Sequence, residues 1–349
     1  MKKLPLAFAL LAGFAGAATA QSNVTIYGLV DGGIEYQKGG AAGSITKLTS
    51  GIQTPSRIGF RGTEDLGGGN SAFFTLENGF AVDTGAALQG GALFGRQAFV
   101  GFKSGLGSVT LGRQHTPIFT SLCFLIDPFS CGMAGKADNL MAQGGSKDTG
   151  GAPRTTNALK YAAPVSSGMM AEFTYGFGEV AGDSKAKRTL GGQVGYTAGP
   201  LLVRLAHNRV ENDTATATSK VTTFGAKYDF RVVVVAFAYA INKGAIAGNS
   251  AVLQADTRDA LIGVTVPFGT STVVASYIRK SDRTPAGNDA DQVAIGYTYA
   301  LSKRTNLYTS LAYLNNTVPN NNAGFYTAGN ATDPGTGDRS FNVGVRHSF

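Results

Sequence analysis

The chain has 349 residues, of which 43% are hydrophobic and only 15% charged, and it carries 49 glycines. Beyond the first twenty residues no apolar run reaches the roughly 18 residues that a membrane-crossing helix needs, so a helical membrane protein is excluded. The composition is also unlike a soluble enzyme. The formal charge of +8 is scattered along the chain, which argues against nucleic acid as a partner.

In chain order, Lys2 and Lys3 come first, followed by an apolar run from Leu4 to Ala17 and the small-x-small triplet Ala18-Thr19-Ala20. This predicts a cleavable export signal over residues 1–20, with the mature chain starting at Gln21. The signal takes Lys2 and Lys3 with it and no acid, leaving 28 of the 30 basic residues against 22 acidic ones, a net of +6. An interior that attracts anions accounts for that excess.

From residue 23 onward, segments of about ten residues alternate apolar with small or polar side chains, the period of strands with one apolar and one wet face. At the start Val24, Ile26, Gly28, Val30 and Ile34 oppose Thr25, Tyr27, Asp31 and Glu35. At the end Phe341, Val343, Val345, His347 and Phe349 oppose Asn342, Gly344, Arg346 and Ser348. Sixteen such segments begin near residues 23, 47, 70, 93, 107, 154, 168, 188, 199, 219, 231, 256, 270, 289, 304 and 339. Short turns such as Gly105-Leu106-Gly107 and Ala198-Gly199-Pro200 alternate with long stretches rich in Gly, Asn, Asp and Thr. That alternation and an even strand number predict an all-β, sixteen-stranded antiparallel transmembrane barrel filling residues 21–349 as one domain.

A soluble β-sandwich is the alternative, but sixteen consecutive strands would leave it long edges to protect, whereas closure removes every edge. Aromatic residues also gather at segment ends, as in Phe224, Tyr228 and Phe230 or Tyr297 and Tyr299, where membrane-interface girdles belong. With no Trp, that girdle falls to the 13 Tyr and 21 Phe.

Six motifs in order then resemble the general trimeric porins of Gram-negative bacteria, in their β-proteobacterial, anion-selective branch. They are Val24 to Gly28, Ser56 to Gly67, Arg96 to Gly101, Val109 to Gln114, Leu301 to Thr305 and the terminal Phe349. The resemblance implies a homotrimer in outer-membrane lipid and lipopolysaccharide that passes small anionic or neutral solutes. It further implies a third external loop, residues 117–152, folded into the lumen as the constriction. Phe349 matches the family's assembly signal, besides being a last lipid-facing apolar residue.

The family places arginines on the wall facing that loop, and Arg57, Arg96 and Arg154 occupy matching positions, with Arg113 a fourth candidate. Alternation puts Arg57 on the face opposite Ile58 and Phe60. Arg113 shares a face with Val109 and Leu111, so it turns inward only if the strand bulges. Lys160 and Lys227 fall on polar faces. Asp127, Asp138 and Lys136 of the loop are expected at the constriction beside the arginines; with Asp148 and Lys147 the loop's net charge is only minus one, thin cover for an arginine cluster.

Cys123 and Cys131, a departure from the family, predict a disulfide within the loop in an oxidising compartment. The Pro-Glu-Phe-Gly motif of enteric porins is absent, which leaves the loop's path and its pore-facing acids open. A barrel enzyme would need a nucleophile and base around His115, His207 or His347, and the sequence assembles none; no cofactor or metal motif is present either. An adhesin or receptor barrel would be plugged, and a substrate-specific channel shares every feature so far.

Overall fold

The computed structural model describes residues 23–40, 43–141, 152–245, 254–317, 326–329 and 337–349. The expected signal over 1–20 and the loop residues Lys147 and Asp148 lie outside the described residues.

Seventeen strands follow one another: β1 (Asn23–Gly40), β2 (Gly43–Ser50), β3 (Arg57–Gly67), β4 (Asn70–Gly79), β5 (Gln97–Ser104) and β6 (Gly107–His115). After the long third loop come β7 (Arg154–Ala162), β8 (Met169–Gly176), β9 (Thr189–Ala198), β10 (Leu201–Glu211) and β11 (Thr218–Asp229). The last are β12 (Val234–Ala245), β13 (Gln254–Phe268), β14 (Ser271–Asp282), β15 (Asp289–Ala300), β16 (Thr305–Thr317) and β17 (Arg339–Ser348). β1 pairs antiparallel with both β2 and β3, each strand from β3 onward pairs antiparallel with the next, and β17 pairs with β1, so the sheet closes on itself. The seam is completed at Phe349, whose N–H donates to the Gly28 carbonyl while the Gly28 N–H donates to its own, at 3.0 and 3.1 Å.

The extra strand is half of a stave. β1 runs beside both β2 and β3, so the second of sixteen staves is broken between Ser50 and Arg57. Pro55 lacks the N–H a ladder needs, and the buried Asp31 carboxylate holds the excursion by accepting the N–H groups of Gln53 and Thr54 at 3.1 and 2.7 Å. The Ser56 hydroxyl caps it against the backbone of Asp31.

Alternation decides which face each side chain takes. Val24, Ile26 and Ile34 on β1 and Phe341, Val343 and Val345 on β17 are exposed on the outer surface, whereas Asp31, Glu35 and Asn342 are buried toward the lumen. The barrel is therefore apolar outside, and its core lies inside the lumen. There the inner wall of β10 to β16 presents small residues, Ala206, Val221, Ala236, Ala238 and Ala294 among them, and the third loop packs its apolar side chains on them.

Candidate pore constriction

The third loop leaves β6 through Thr116, whose hydroxyl accepts the Phe119 N–H, and Pro117 at the first helical position. A single helical turn, Pro117–Phe119, continues into a π-helix, Thr120–Ile126. Ile118, Leu122 and Ile126 face the wall and are fully buried. Two glycines make room. A Cβ on Gly225 would lie 2.6 Å from Ile126, and one on Gly296 would lie 2.9 Å from the Phe129 ring.

A compact knot then turns the chain. Cys123 and Cys131 are joined by a disulfide, with their Cα atoms 5.0 Å apart. Asp127 sits inside the knot, only 2% exposed. Its Oδ1 accepts the Phe129 N–H at 3.1 Å, and its Oδ2 accepts those of Cys131 and Ala137 at 2.8 and 3.0 Å. Burial pushes this carboxyl up to about 6, against the pull of those three donors. Asp127 is thus no lumen-facing acid, which corrects the reading from sequence: its charge is spent on the loop's own backbone, and Ser130, Cys131 and Met133 take left-handed conformations around it.

The far end of the loop is tied across the lumen. The Ala134 N–H donates to the Ser310 hydroxyl at 2.9 Å, and Gln292 accepts from Asn139 and donates to the Gly135 carbonyl. Lys280, fully buried, donates to the Leu140 carbonyl at 2.7 Å and pairs with Asp259 at 3.0 Å. Lys136 and Asp138 pair with each other at 3.7 Å, both partly exposed.

Opposite the loop a cavity of about 450 Å³ remains between it and the wall of β3 to β7, and Arg57 and Arg96 line it. Both contact one carboxylate, Glu77 on β4: Arg96 Nε lies 2.6 Å from Oε1 and Arg57 Nε 3.5 Å from Oε2. Tyr27 donates its hydroxyl to Glu77 as well, at 3.1 Å. Arg154 and Arg113 do not line the cavity. Arg154 nonetheless lies within electrostatic range of Arg57, Arg96, Arg113 and Glu77. A bulge does form beside Arg113, between Gly112 and Gln114, and its Nε donates to the Gly95 carbonyl at 2.7 Å. Lys160 lines the cavity, donating to the His115 carbonyl at 2.7 Å and pairing with Glu172 at 3.4 Å. Lys227 lies within electrostatic range of Asp127 instead.

The histidines are dispersed. His115 is buried in a cluster with Phe119 and Phe124, while His207 and His347 sit on the outer face, each hydrogen-bonded to a threonine at 2.8 Å. Among the described residues no cluster of His, Cys, Asp and Glu is arranged to hold a metal.

The profile of the Gram-negative porin family matches residues 7–319. The chain belongs to that family. This porin is 33% identical to an outer membrane porin protein of Bordetella pertussis and 34% identical to outer membrane porin protein 32 of Delftia acidovorans, each alignment covering all of both chains. Among solved structures it is similar to an anion-selective porin from Comamonas acidovorans, with a TM-score of 0.80 and 31% identity over 94% of this chain and all of that one. The porin is accordingly a multi-pass outer-membrane protein and a diffusion channel for small hydrophilic solutes.

Three charged residues around the third loop escape a reading of the porin's sequence. Glu77 is an isolated acid on an aromatic strand, yet it lies opposite Gly59 and on the same face as Arg57, where pairing parity points it inward. Lys280 and Asp259 meet across a hairpin whose register places Lys280 directly beside Asp259.

Proposed function

We propose that this porin favours anions, through an arginine-lined constriction between the third loop and the wall of β3 to β7. The observation that carries the reading is a shortage of carboxylate. Among the described residues, Arg57 and Arg96 share Glu77 alone, Lys160 is matched by Glu172, and Arg154 and Arg113 add their fields nearby. The loop offers little compensation, because Asp127 is turned into its own backbone and Asp138 is paired with Lys136. An arginine about 8 Å from an ion in bulk water contributes roughly 0.5 kcal/mol, and low-dielectric walls focus the field further. Several such charges favour anions while leaving the site weak enough to release them. A porin of known structure that it resembles, from Comamonas acidovorans, is anion-selective, in keeping with this reading. Arg57→Glu tests it: the anion-to-cation permeability ratio should fall several-fold, and an unchanged ratio would contradict it.

Assembly as a homotrimer is supported by the distribution of tyrosine on the outer surface. Of the exposed tyrosines, Tyr161, Tyr196, Tyr228, Tyr239, Tyr277, Tyr297, Tyr299 and Tyr313 lie on β7 to β16, and only Tyr36 lies on β1 to β6. An outer surface depleted of tyrosine on one side, although Phe102 is exposed there, fits a side that faces neighbouring protomers. Lipopolysaccharide as the surrounding lipid is supported by a row of cations at the long-loop end. Arg209, Lys220 and Lys243 stand side by side on β10, β11 and β12. Arg209 is paired with Glu211 at 2.6 Å. Like charges directly opposite each other, as at Lys220 and Lys243, destabilise a sheet, and the phosphates of an outer-leaflet glycolipid would offset that repulsion.

A further inference from the structure

Among the described residues of the loop, the large apolar side chains are buried or half-buried, with one exception. Phe124, on the π-helix between the fully buried Leu122 and Ile126, is 51% exposed. It lines the constriction cavity. Loop packing does not require it there, since its neighbours already fill the wall.

The ring is nonetheless held firmly. It meets Phe119 edge-on at 4.9 Å and His115 edge-on at 5.3 Å, and His115 and Phe119 stack on each other at 4.9 Å. His115 is itself fixed by a contact of its Nδ1 with the Pro153 carbonyl at 3.3 Å. On the barrel wall of the same cavity stands a second aromatic pair, Phe73 and Phe99, edge to face with ring centroids 6.3 Å apart. Arg57 and Lys160 line it too. One water-facing chamber thus carries fixed aromatic surface from both the loop and the wall, together with unbalanced positive charge.

We propose that the cavity is a binding station for aromatic carboxylates, anions of the benzoate class. The inference rests on the anion-favouring reading above and names the solute that the chamber holds longest. A small inorganic anion uses only the guanidinium field. A neutral sugar can stack on the aromatic faces and hydrogen-bond to the polar lining, but draws nothing from the net positive charge. A planar ring bearing a carboxylate uses both at once: edge-to-face and stacked contacts with Phe124 and the Phe73–Phe99 pair, and charge-assisted hydrogen bonds to Arg57. Because the three-ring corner around Phe124 is already ordered, little side-chain freedom is lost when the solute arrives. The volume, about 450 Å³, leaves room for one such molecule with some of its water.

Chloride current through the purified full-length porin in a planar bilayer reads the binding, with sodium benzoate, sodium acetate or benzyl alcohol added in turn. Acetate carries the charge without the ring, and benzyl alcohol the ring without the charge. Benzoate should reach half-block at a concentration about tenfold below acetate, a ratio worth about 1.4 kcal/mol. Phe124→Ala should bring the benzoate-to-acetate ratio close to one. Taking that ratio within one protein removes any effect of assembly yield. Equal half-blocking concentrations for benzoate and acetate in a wild type that prefers chloride to potassium overturn this inference and leave the anion-favouring channel standing. Block by benzyl alcohol as strong as by benzoate also overturns it, since the carboxylate would then play no part. A wild type that prefers potassium overturns the reading on which the inference rests.

Discussion

The Nε of Arg96 lies 2.6 Å from Oε1 of Glu77, and both side chains are almost wholly withdrawn from water. Glu77 is also within 3.5 Å of Arg57, so one carboxylate fixes two guanidiniums on the wall that faces the third loop. It holds them in place and cancels half of their charge.

Glu77→Gln separates these two effects. Without the negative charge the permeability ratio should move several-fold further toward anions, read as a shift in zero-current potential. The same substitution leaves Arg96 buried without a counter-charge, a loss of about 3–5 kcal/mol in comparable buried pairs, so the porin should unfold at lower temperature. An unmoved zero-current potential would mean that Glu77 lies outside the field the ion meets.

The disulfide closes a short ring, Cys123 and Cys131 having a sequence separation of 8. For a loop of that size, cross-linking contributes about 2–3 kcal/mol by restricting the unfolded ensemble. Cys123→Ser with Cys131→Ser should leave the barrel assembled while raising the open-channel current noise and the amide exchange of residues 117–141. Noise and exchange equal to wild type would show that the packing of Ile118, Leu122 and Ile126 holds the loop alone.

Asp127 predicts a pH dependence confined to the loop. Its native carboxyl titrates at about 6, above its ordinary value of 3.8. Between these two values the folded loop holds a proton that the unfolded loop has released, so loop stability falls as pH rises from about 4 to 6. The span of roughly two units corresponds to about 3 kcal/mol. Exchange protection of residues 117–141, corrected for intrinsic rates, should decline over that window, and Asp127→Asn should flatten the slope. A loop whose protection rises with pH would reverse the sign and refute the assignment.

Lys220 and Lys243 are exposed neighbours in register on β11 and β12. If glycolipid phosphates bridge them, Lys220→Glu with Lys243→Glu should lower the lipopolysaccharide that co-purifies with the porin severalfold and leave chloride conductance unaltered. Undiminished lipid would assign the row to external charge only.

Most of the barrel was legible because strand periodicity is a local property. Residues 341 to 349 announce their two faces without any knowledge of β1. The break in the second stave was legible in principle, since Pro55 cannot sit inside a paired strand, but its stabiliser, Asp31, is contributed by another strand. Arg57 followed from parity, whereas Arg96 and Arg154 came from family resemblance. Asp127 reads from sequence as a constriction acid, although Asp-Pro-Phe-Ser is a turn-forming sequence in which the carboxylate caps the backbone two residues on. Glu77, Asp259 and Lys280 depend on cross-strand register, which composition and spacing do not contain. Phe124 is one apolar residue among several in the loop sequence, and only the helix phase separates it from its buried neighbours Leu122 and Ile126.

The zero-current potential of the wild-type porin across a tenfold potassium chloride gradient tests the central claim most directly. Anion preference makes the dilute side negative, and the magnitude should shrink when both solutions are made more concentrated, because salt screens the arginine field. A dilute side that turns positive, or a potential near zero at low salt, would contradict an anion-favouring constriction built on Arg57, Arg96 and their single carboxylate.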